Sequence, residues 1–184
     1  MKDVFASRIE TTKSLVKACE KLKLKAFINA SAVGVVLAKD SNFIKSLYPS
    51  HRLGLGGALG TGRQWISWIH LDDVVRIVQF LLEPNCSVPV GPVNATSPNA
   101  VRQAALSRCL SEAIGAPRLP FGAPPAPAFV FRALLGSDRA TLVLDGQRVI
   151  PKKLLDARFQ FRYTRLEDAL QAIFGRKPSP PAYD

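Results

Sequence analysis

Two apolar segments beside Gly34 follow each other too closely to be joined by an ordinary parallel crossover. Residues 25–30 form a short apolar run that predicts a buried strand, and the small residues 31–34 predict a turn after it. Residues 35–37 are apolar again and predict the end of another strand. A crossover between parallel strands needs about 10–12 residues or more. The sequence therefore predicts an α/β fold from which a connecting segment is missing.

Capping signals and apolar spacing place helices around these strands. Ser7 and Glu10 form a capping box, which predicts a helix over residues 8–21 and, with the strand that follows, an αβ unit. Further helices are predicted at 43–47 (closed by Tyr48-Pro49), 73–82 (capped by Asp72), 97–114 (ended by Gly115), 129–135, 140–144 and 166–174 (begun by a Thr164–Glu167 capping box). Further short strands are predicted at 64–70, 90–95 and 159–163.

The composition is that of a globular domain. Hydrophobic residues make up 47% of the 184, which is enough to bury a core. No apolar run approaches the roughly 18–20 residues of a membrane helix, and the first residues lack a secretory apolar region, so no membrane partner is expected. Cys19, Cys86 and Cys109 lie far apart and predict reduced thiols in an intracellular protein, with Cys19 and Cys109 in the core.

The net charge of +11 raises nucleic acid as a partner. The basic residues are not interleaved with aromatic side chains in an RNA-binding pattern, and the spacings of zinc fingers and basic zippers are absent. A solvated basic surface is the commoner origin of such a charge. Nucleic-acid binding therefore stays a minor alternative.

Residues 51–62 are rich in glycine and read HRLGLGGALGTG. The glycines do not form G-x-G-x-x-G, and no Gly-Lys-Ser/Thr follows them. A phosphate cradle also needs a strand before it and a helix after it, whereas here a strand is predicted after the glycines. The segment is predicted to be a tightly turning or flexible loop, with direct phosphate binding as the weaker alternative.

The candidate polar residues have structural explanations beside the functional ones. His70 stands just before a predicted helix, where a structural histidine is the commoner case and a ligand contact the alternative. Asp72 is explained as the cap of that helix and Asp73 as a charge that complements the helix dipole. The sequence suggests no partner for His51. Ser31 offers a hydroxyl after a buried strand, but no general base is evident beside it.

Five stretches, taken together and in order, resemble a known family. They are 28–34 (INASAVG), 52–75 with its Trp-Ile-His-x-Asp-Asp motif, 91–101, 144–155 with its Leu-x-Gly-Gln-Arg-Val-x-Pro motif, and 159–170. They resemble the atypical NAD(P)-dependent epimerase family of the extended short-chain dehydrogenase/reductases, sometimes labelled cell-division inhibitor homologues. The resemblance runs from about residue 7 to residue 174, and its last part is similar to the family's own C-terminal domain.

The sequence departs from that family in two places. The family begins with a strand and a Gly-Gly-Thr-Gly-Phe-Ile-Gly-type turn that seats the cofactor pyrophosphate, and this chain starts after them. The family also has a Tyr-Tyr-Gly stretch, a helix and a strand where Gly34 here runs directly into Val35. The Tyr-x-x-x-Lys acid–base pair of short-chain dehydrogenases is missing, since Arg52 follows Tyr48 at that spacing. Because the chemistry requires a held cofactor and the loop that holds it is absent here, a form without activity is expected.

The resemblance implies a set of site residues. Ser31 matches a hydroxyl that other extended members use in catalysis. The implied cofactor-binding residues are Ala32, Val33, Gly34, Val36 and Leu37. The implied substrate-binding residues are Arg63, Gln64, Trp65 and His70. The implied cofactor is NAD or NADP, although the pyrophosphate-binding glycine loop is absent from this chain, and no metal site is predicted.

The expected fold is α/β, with a partial Rossmann-like parallel sheet and flanking helices, plus a small, mostly helical C-terminal domain. The expected boundaries are 1–116 for the Rossmann-like domain, 117–176 for the C-terminal domain and 177–184 for a disordered tail. The leading function is an NAD(P)-binding epimerase or oxidoreductase-like protein for a small or nucleotide-linked substrate. The alternative is a non-catalytic interaction or scaffold protein, or a fragment from a gene model. An interaction protein of this kind would form a homo- or hetero-oligomer through an uncovered sheet edge. The expected location is cytoplasmic, with a mitochondrion or plastid as the alternative for full-length relatives.

Overall fold

The computed structural model describes residues 10, 13, 14, 17, 34–117 and 146–175. The chain divides into two compact units, Met1–Ala32 and Val33–Asp184. In the first unit the described residues are helical, and Lys13 Nζ lies 3.6 Å from a carboxylate oxygen of Glu10. Several predicted features lie outside the described residues: Ser7, Cys19, the strand at 25–30, the helices at 129–135 and 140–144, and the tail at 177–184.

The described part of the second unit is built from short strands and flanking helices. The helices are α1 (Asn42–Arg52), α2 (Leu71–Leu81), α3 (Gln103–Ile114), α4 (Lys152–Asp156) and α5 (Leu166–Phe174), and the strands are β1 (Val35–Leu37), β2 (Trp65–Ile66), β3 (Trp68–His70) and β4 (Val101–Arg102). Strand β1 pairs in parallel with β3, and β2 pairs antiparallel with β4. The parallel pair with its flanking helices confirms the predicted α/β class. Among these residues no helix has the length and apolar character to cross a membrane.

Gly34 lets β1 approach the chain just before β3. A Cβ atom at Gly34 would lie 2.6 Å from the carbonyl oxygen of Ser67, which is closer than real side chains come. The next amide, that of Val35, donates to the same oxygen at 2.8 Å. The absence of a side chain before the strand is therefore a condition for the pairing of β1 with the β3 segment.

The main core is formed by the parallel sheet and helices α1, α3 and α5. Its buried members are Leu37, Ile44, Ile66, Trp68, Leu106, Cys109, Leu110, Leu166, Ala169 and Leu170. Cys109 is thus confirmed as a core residue, and burial, together with Glu167, raises the pKa of its thiol to about 11, so it stays protonated. A second cluster of Ile69, Ile77, Leu154 and Phe159 packs α2 and α4 together.

Helix α1 is longer than predicted, because it continues past Pro49 instead of ending there. Proline inside a helix removes a hydrogen bond and costs about 3 kcal/mol. The last turn contains His51, which is buried, with Nδ1 2.8 Å from the carbonyl oxygen of Leu47 and Nε2 2.8 Å from Ser107 Oγ. The tertiary contacts of that turn therefore outweigh the local stop signal, and the predicted end at Tyr48-Pro49 is wrong.

Residues 90–95 form no strand in the described structure, contrary to the prediction. Pro92 has no amide to donate, and Gly91 adopts a φ of 122°, outside the strand region. Val90 is fully exposed, and Val93 is the residue of this run that packs against the second cluster. The apolar residues suggested a strand, but the backbone around them cannot form a ladder.

Helix α3 begins at Gln103 and not at Ser97, as the Ser-Pro signal had predicted. The Ser97 hydroxyl and Asn99 Nδ2 both donate to the carbonyl oxygen of Thr164, at 3.4 and 3.1 Å, and hold this stretch against the C-terminal segment. The residues of β4 pair with β2 before the helix starts. The predicted end is confirmed, because Gly115 caps α3 in the left-handed conformation with φ 65°.

Residues 159–163 alternate between buried and exposed side chains, as predicted, but no strand forms there. Phe159 and Phe161 pack into the second cluster. The amides of Arg162 and Tyr163 donate to the carboxylate of Asp73 and not to a neighbouring strand. A side chain therefore satisfies the backbone where the periodicity predicted a sheet partner.

The predicted capping box of α5 does not form. Arg165 is the N-cap residue and makes no side-chain cap hydrogen bond. Glu167 Oε1 instead accepts a hydrogen bond from Cys109 Sγ at 3.6 Å, and Thr164 contributes its carbonyl oxygen to the contacts described above. The helix ends at Gly175, whose φ of 70° is left-handed, so the predicted end near residue 174 is confirmed.

Candidate functional site

The ends of β1 and β3 bring two groups of predicted site residues to one edge of the sheet. The strands are parallel neighbours, with Val36 opposite Ile69 and Leu37 opposite His70. The carboxyl ends of parallel strands meet at the same edge, which is where α/β folds bind ligands. Leu37 is fully buried in the core, whereas Val36 is 40% exposed. Of these two predicted cofactor residues, Val36 is the one with a side chain open to a ligand.

Three residues predicted for this edge, Ser31, Ala32 and Val33, lie outside the described residues. The catalytic hydroxyl expected from Ser31 therefore stays a prediction. Gly34, which follows them, is seated against the backbone of Ser67 as described above. Its contribution to the site is the position that it gives to β1.

His70 is the N-cap of α2, a role that the sequence had suggested for Asp72. Its backbone is extended, with φ −76° and ψ 145°, and its Nδ1 accepts a hydrogen bond from the amide of Asp72 at 3.1 Å. The predicted cap is wrong because the imidazole reaches this first-turn amide from two residues earlier. In a neutral imidazole one nitrogen accepts and the other carries the proton, so this bond places the proton on Nε2.

Burial holds His70 in its neutral form. The residue is 8% exposed. Burial lowers the pKa of His70, and it outweighs the carboxylates of Asp72 and Asp73, which raise that pKa, while Arg162 lowers it. The imidazole is therefore uncharged at neutral pH. Its Nε2–H has no hydrogen-bond partner among the described residues.

Asp73 is fully buried, although its place in the first turn predicted a charge that complements the helix dipole. Its Oδ1 accepts from the amide of Arg162 at 2.8 Å and from Arg76 Nη1 at 3.1 Å. Its Oδ2 accepts from the amide of Tyr163 at 2.9 Å. Three donors compensate the carboxylate for the hydration that it loses. Asp73 therefore anchors residues 162 and 163 to the start of α2.

Tyr163 lies over the imidazole of His70. The two ring centroids are 4.1 Å apart, and the ring planes are inclined by 41°. The preceding residue, Arg162, places Nη1 3.4 Å from a carboxylate oxygen of Asp72. The start of α2 and residues 162–163 thus form one connected cluster at the edge of the parallel sheet.

The remaining predicted substrate residues lie on β2 and in the loop before it. Trp65 is half-buried, with the guanidinium carbon of Arg102 3.7 Å and that of Arg148 5.0 Å from its ring centroid. Gln64 Nε2 donates to the backbone of the glycine-rich loop at 3.0 Å, and the exposed Arg63 accepts a hydrogen bond from Arg102 at its carbonyl oxygen. No hydrogen bond or ring contact in the described structure joins this group to His70.

The glycine-rich segment after α1 is a loop, as predicted, and it is fastened to α3. Ser107 Oγ lies 2.8 Å from the carbonyl oxygen of Gly57 and 2.8 Å from His51 Nε2. The amide of Leu59 donates to Gln103 Oε1 at 2.8 Å. Ser107 is therefore the partner of His51 that the sequence could not supply.

Four residues of this region were missed or given another role by the sequence analysis: Asp73, Arg102, Arg148 and Tyr163. For Asp73 a signal existed, because Asp73 and Ile77 are four residues apart and share the buried face of α2. A carboxylate on the apolar face of a helix indicates a buried hydrogen-bonding role. The two arginines meet Trp65 through tertiary contacts, for which the sequence holds no local signal.

Lowering the pH below about 6.5 is expected to destabilise the fold through its two histidines. Burial lowers the pKa of both His51 and His70 from the ordinary value of 6.5. Below that value the unfolded chain binds more protons than the folded chain. The free energy of unfolding is therefore highest above 6.5 and falls as the pH drops toward the folded-state pKa values. Urea unfolding at about pH 7.5 and about pH 5.5 measures this loss.

The variant His51→Gln provides the control for this pH dependence. Its amide can still bond to Ser107, but it does not titrate. The slope of unfolding free energy against pH is expected to become smaller than in the unmodified chain. A double variant, His51→Gln with His70→Asn, that keeps the original slope would show that other groups cause it.

Comparison with known proteins places these features in a family. Residues 126–173 match a family described as "Domain of unknown function (DUF1731)". The epimerase family protein SDR39U1 homolog, chloroplastic, of Arabidopsis thaliana is 39% identical over 142 residues, which are 77% of this chain and 39% of that protein. An epimerase family protein of Staphylococcus epidermidis is 38% identical over 140 residues, which are 76% of this chain and 44% of that protein.

Two solved structures resemble the fold. The crystal structure of human epimerase family protein SDR39U1 (isoform 2) with NADPH matches with a TM-score of 0.69 and 32% identity, over 78% of this chain and 47% of that one. The nucleoside-diphosphate sugar epimerase of Corynebacterium glutamicum matches with a TM-score of 0.54 and 26% identity, over 79% of this chain and 25% of that one. The chain spans about two fifths of the length of the curated relatives given above. Over the part that it shares with these relatives, the chain belongs to the epimerase family of proteins.

Proposed function

We propose that this protein binds NADP(H) or NAD(H) at the edge where β1 and β3 end, as an epimerase or oxidoreductase-like protein for a small or nucleotide-linked substrate. The observation that carries the proposal is the parallel pairing that puts the end of β1 beside His70, in a fold similar to a protein crystallised with NADPH. A nicotinamide cofactor supplies hydride transfer when it is bound.

The described residues fit the nicotinamide end of such a cofactor better than its phosphates. Val36 offers an exposed apolar surface at the end of β1, which suits a flat ring. The glycine-rich loop precedes β2, and the carbonyl oxygen of Gly57 is directed to Ser107. No glycine-rich turn between a strand and a helix occurs in 34–117 or 146–175. We therefore expect weak cofactor binding and no turnover by this chain alone.

Ser31 is proposed to polarise a substrate oxygen beside the cofactor, with Ala32 and Val33 next to the ring. Support comes from their position just before β1, which ends at the proposed edge. A nucleotide-linked substrate is supported by the guanidinium groups of Arg102 and Arg148 at Trp65, because guanidinium groups bind phosphate well. Arg63 and Gln64 are proposed for the same part of the substrate.

NADPH in excess is expected to raise the melting temperature of the purified chain. A ligand that binds only the folded state stabilises it by about 2.7 kcal/mol at 100 times its dissociation constant. Thermal melts with NADPH, with NADH and without nucleotide measure the shift and rank the two cofactors. Indifference to both nucleotides would overturn the proposed cofactor binding.

A pair of matched variants locates the binding edge. Val36→Glu adds a negative charge at the end of β1, and it is expected to weaken NADPH binding at least about tenfold, which corresponds to about 1.4 kcal/mol. Val75→Glu adds the same charge at an exposed position of α2 and is expected to leave the affinity unchanged. Isothermal calorimetry measures both. Equal affinities would place the nucleotide elsewhere on the chain.

The second candidate is a non-catalytic protein that assembles with another chain. The observation in its favour is a set of exposed apolar side chains outside the proposed site, among them Leu53 at 67% and Leu55 at 52% in the segment after α1. Alanine at Ser31 and His70 separates the two candidates, because assembly should survive both changes.

We propose a cytoplasmic location, with an organelle as the alternative, since the Arabidopsis relative is named chloroplastic.

A further inference from the structure

The start of α2 is attached to the C-terminal segment by a carboxylate that binds two successive amides. Asp73 is fully buried, and its two oxygens accept from the amides of Arg162 at 2.8 Å and Tyr163 at 2.9 Å. One carboxylate that engages neighbouring amides through different oxygens fixes the position and direction of the backbone between them. Arg76 Nη1, 3.1 Å from Oδ1, balances the buried charge.

Residues on both sides of this anchor also pack against, or hydrogen-bond to, other parts of the fold. Upstream, Phe159 packs against Phe80 with ring centroids 5.3 Å apart, and it meets Phe161 edge to face at 4.9 Å. Downstream, the carbonyl oxygen of Thr164 accepts from Asn99 Nδ2 at 3.1 Å. The segment 159–164 is therefore held along its whole length, although it forms neither a helix nor a strand.

The most direct consequence of these contacts is that the ring of Tyr163 is placed against the imidazole of His70. Tyr163 lies over His70 with a centroid separation of 4.1 Å. His70 Nδ1 is engaged by the amide of Asp72, so a rotation of the imidazole would break the helix cap and displace the ring from Tyr163. Two independent contacts thus hold one orientation, and in that orientation Nε2–H lacks a partner among the described residues.

We propose that residues 159–164 are a positioning element for His70, anchored by Asp73, which keeps Nε2–H of a neutral imidazole free to donate to a carbonyl or hydroxyl oxygen of a ligand. These residues lie within the stretch that matches a domain of unknown function, so the proposal gives that part of the domain a role. A fixed neutral donor of this kind polarises an oxygen without transferring a full charge. The ligand part of the proposal rests on the proposed function, whereas the positioning does not.

Nuclear magnetic resonance of the two histidines tests the proposal directly, because the chain contains only His51 and His70. With ¹⁵N-labelled histidine, His70 is expected to show an unprotonated Nδ1 and a protonated Nε2 whose proton exchanges rapidly with water. The variant His70→Asn assigns the signals by removing one set. A proton on Nδ1, or an Nε2 proton protected from exchange, overturns the proposal.

Variants of the anchor test the positioning. Tyr163→Leu removes the ring, so the ring protons of His70 are expected to move downfield as the aromatic shielding is lost, and Tyr163→Phe is expected to restore the original shifts. Asp73→Asn turns one acceptor into a donor facing an amide, and it is expected to move the same His70 signals while leaving those of His51 in place. Asp156→Asn, at an exposed ion pair, is the matched control and is expected to change neither histidine.

The outcomes separate this proposal from the proposed function. Unchanged His70 signals in Tyr163→Leu and in a folded Asp73→Asn overturn the positioning, whatever the cofactor does. If Asp73→Asn does not fold, the pair Tyr163→Leu and Tyr163→Phe still decides, because Tyr163 is only half-buried. Calorimetry with NADPH on the same unmodified sample decides the proposed function separately. Absent NADPH binding with the expected His70 signals would retain the positioning and remove the cofactor.

Discussion

Trp68→Ala is expected to cost about 3–5 kcal/mol of unfolding free energy, which is a large part of the stability of a single domain. The Trp68 side chain is fully buried, and it is the largest such side chain in the described structure. It fills the core beside Leu37 and Leu110, and its Nε1 donates to the carbonyl oxygen of Asn99 at 2.8 Å. Its removal leaves both a cavity and an unpaired carbonyl. Urea unfolding followed by circular dichroism measures the loss.

Trp65→Ala is the matched control for that change. Trp65 is half-buried, and the guanidinium groups of Arg102 and Arg148 lie against its ring. Cation–π contacts at exposed sites contribute about 0.5–1 kcal/mol each, so the loss is expected to stay below half of that at Trp68. Equal losses at the two tryptophans would contradict the position of the core described above.

Gly146→Ala is expected to release the segment that follows it from β2. A Cβ atom there would overlap the carbonyl oxygen of Trp65 and lie 2.8 Å from its carbonyl carbon, so the backbone must move. The movement is expected to break two hydrogen bonds of Ser67 Oγ, one to the carbonyl oxygen of Gln147 at 2.7 Å and one from the amide of Val149 at 2.9 Å. Two hydrogen bonds and the nearby cation–π contact together predict a loss of about 2–4 kcal/mol. Thermal unfolding and protease sensitivity of this segment report it.

Gly175→Ala separates steric overlap from backbone strain in that experiment. Gly175 has a φ of 70°, but a Cβ atom there would meet nothing within 4 Å. Alanine is expected to cost only about 1 kcal/mol, for the left-handed conformation. If Gly146→Ala costs no more than Gly175→Ala, the close contact between Gly146 and Trp65 does not exist in solution.

Local signals predicted the parts of the fold that depend on local chemistry. Gly115 ends α3 as its sequence signal predicted, because a residue without a Cβ enters the left-handed region cheaply. The predictions failed where a distant residue satisfies the backbone or buries a turn. His51 with Ser107 carries α1 past its proline, and Asp73 replaces the strand partner expected for residues 159–163.

In the candidate site, too, local signals predicted some features and missed those that depend on distant residues. His70 could be placed before a helix and at a strand end from its neighbours in sequence, and the structure puts it there. The ring of Tyr163 against His70 and the bonds of Asp73 to residues 162 and 163 could not be predicted, because they join residues about ninety positions apart. Ser31 stays a prediction from the resemblance.

The two sides of the contact between Asp73 and residues 162–163 differ in the substitutions that they tolerate. The carboxylate recognises main-chain amides, so residue 162 can carry any side chain except that of proline without losing the contact. Residue 73 has no such freedom, since a replacement must accept two bonds while fully buried. A contact of this kind lets the side chains of residues 162 and 163 change while their backbone stays bound in the same place, as long as Asp73 is kept.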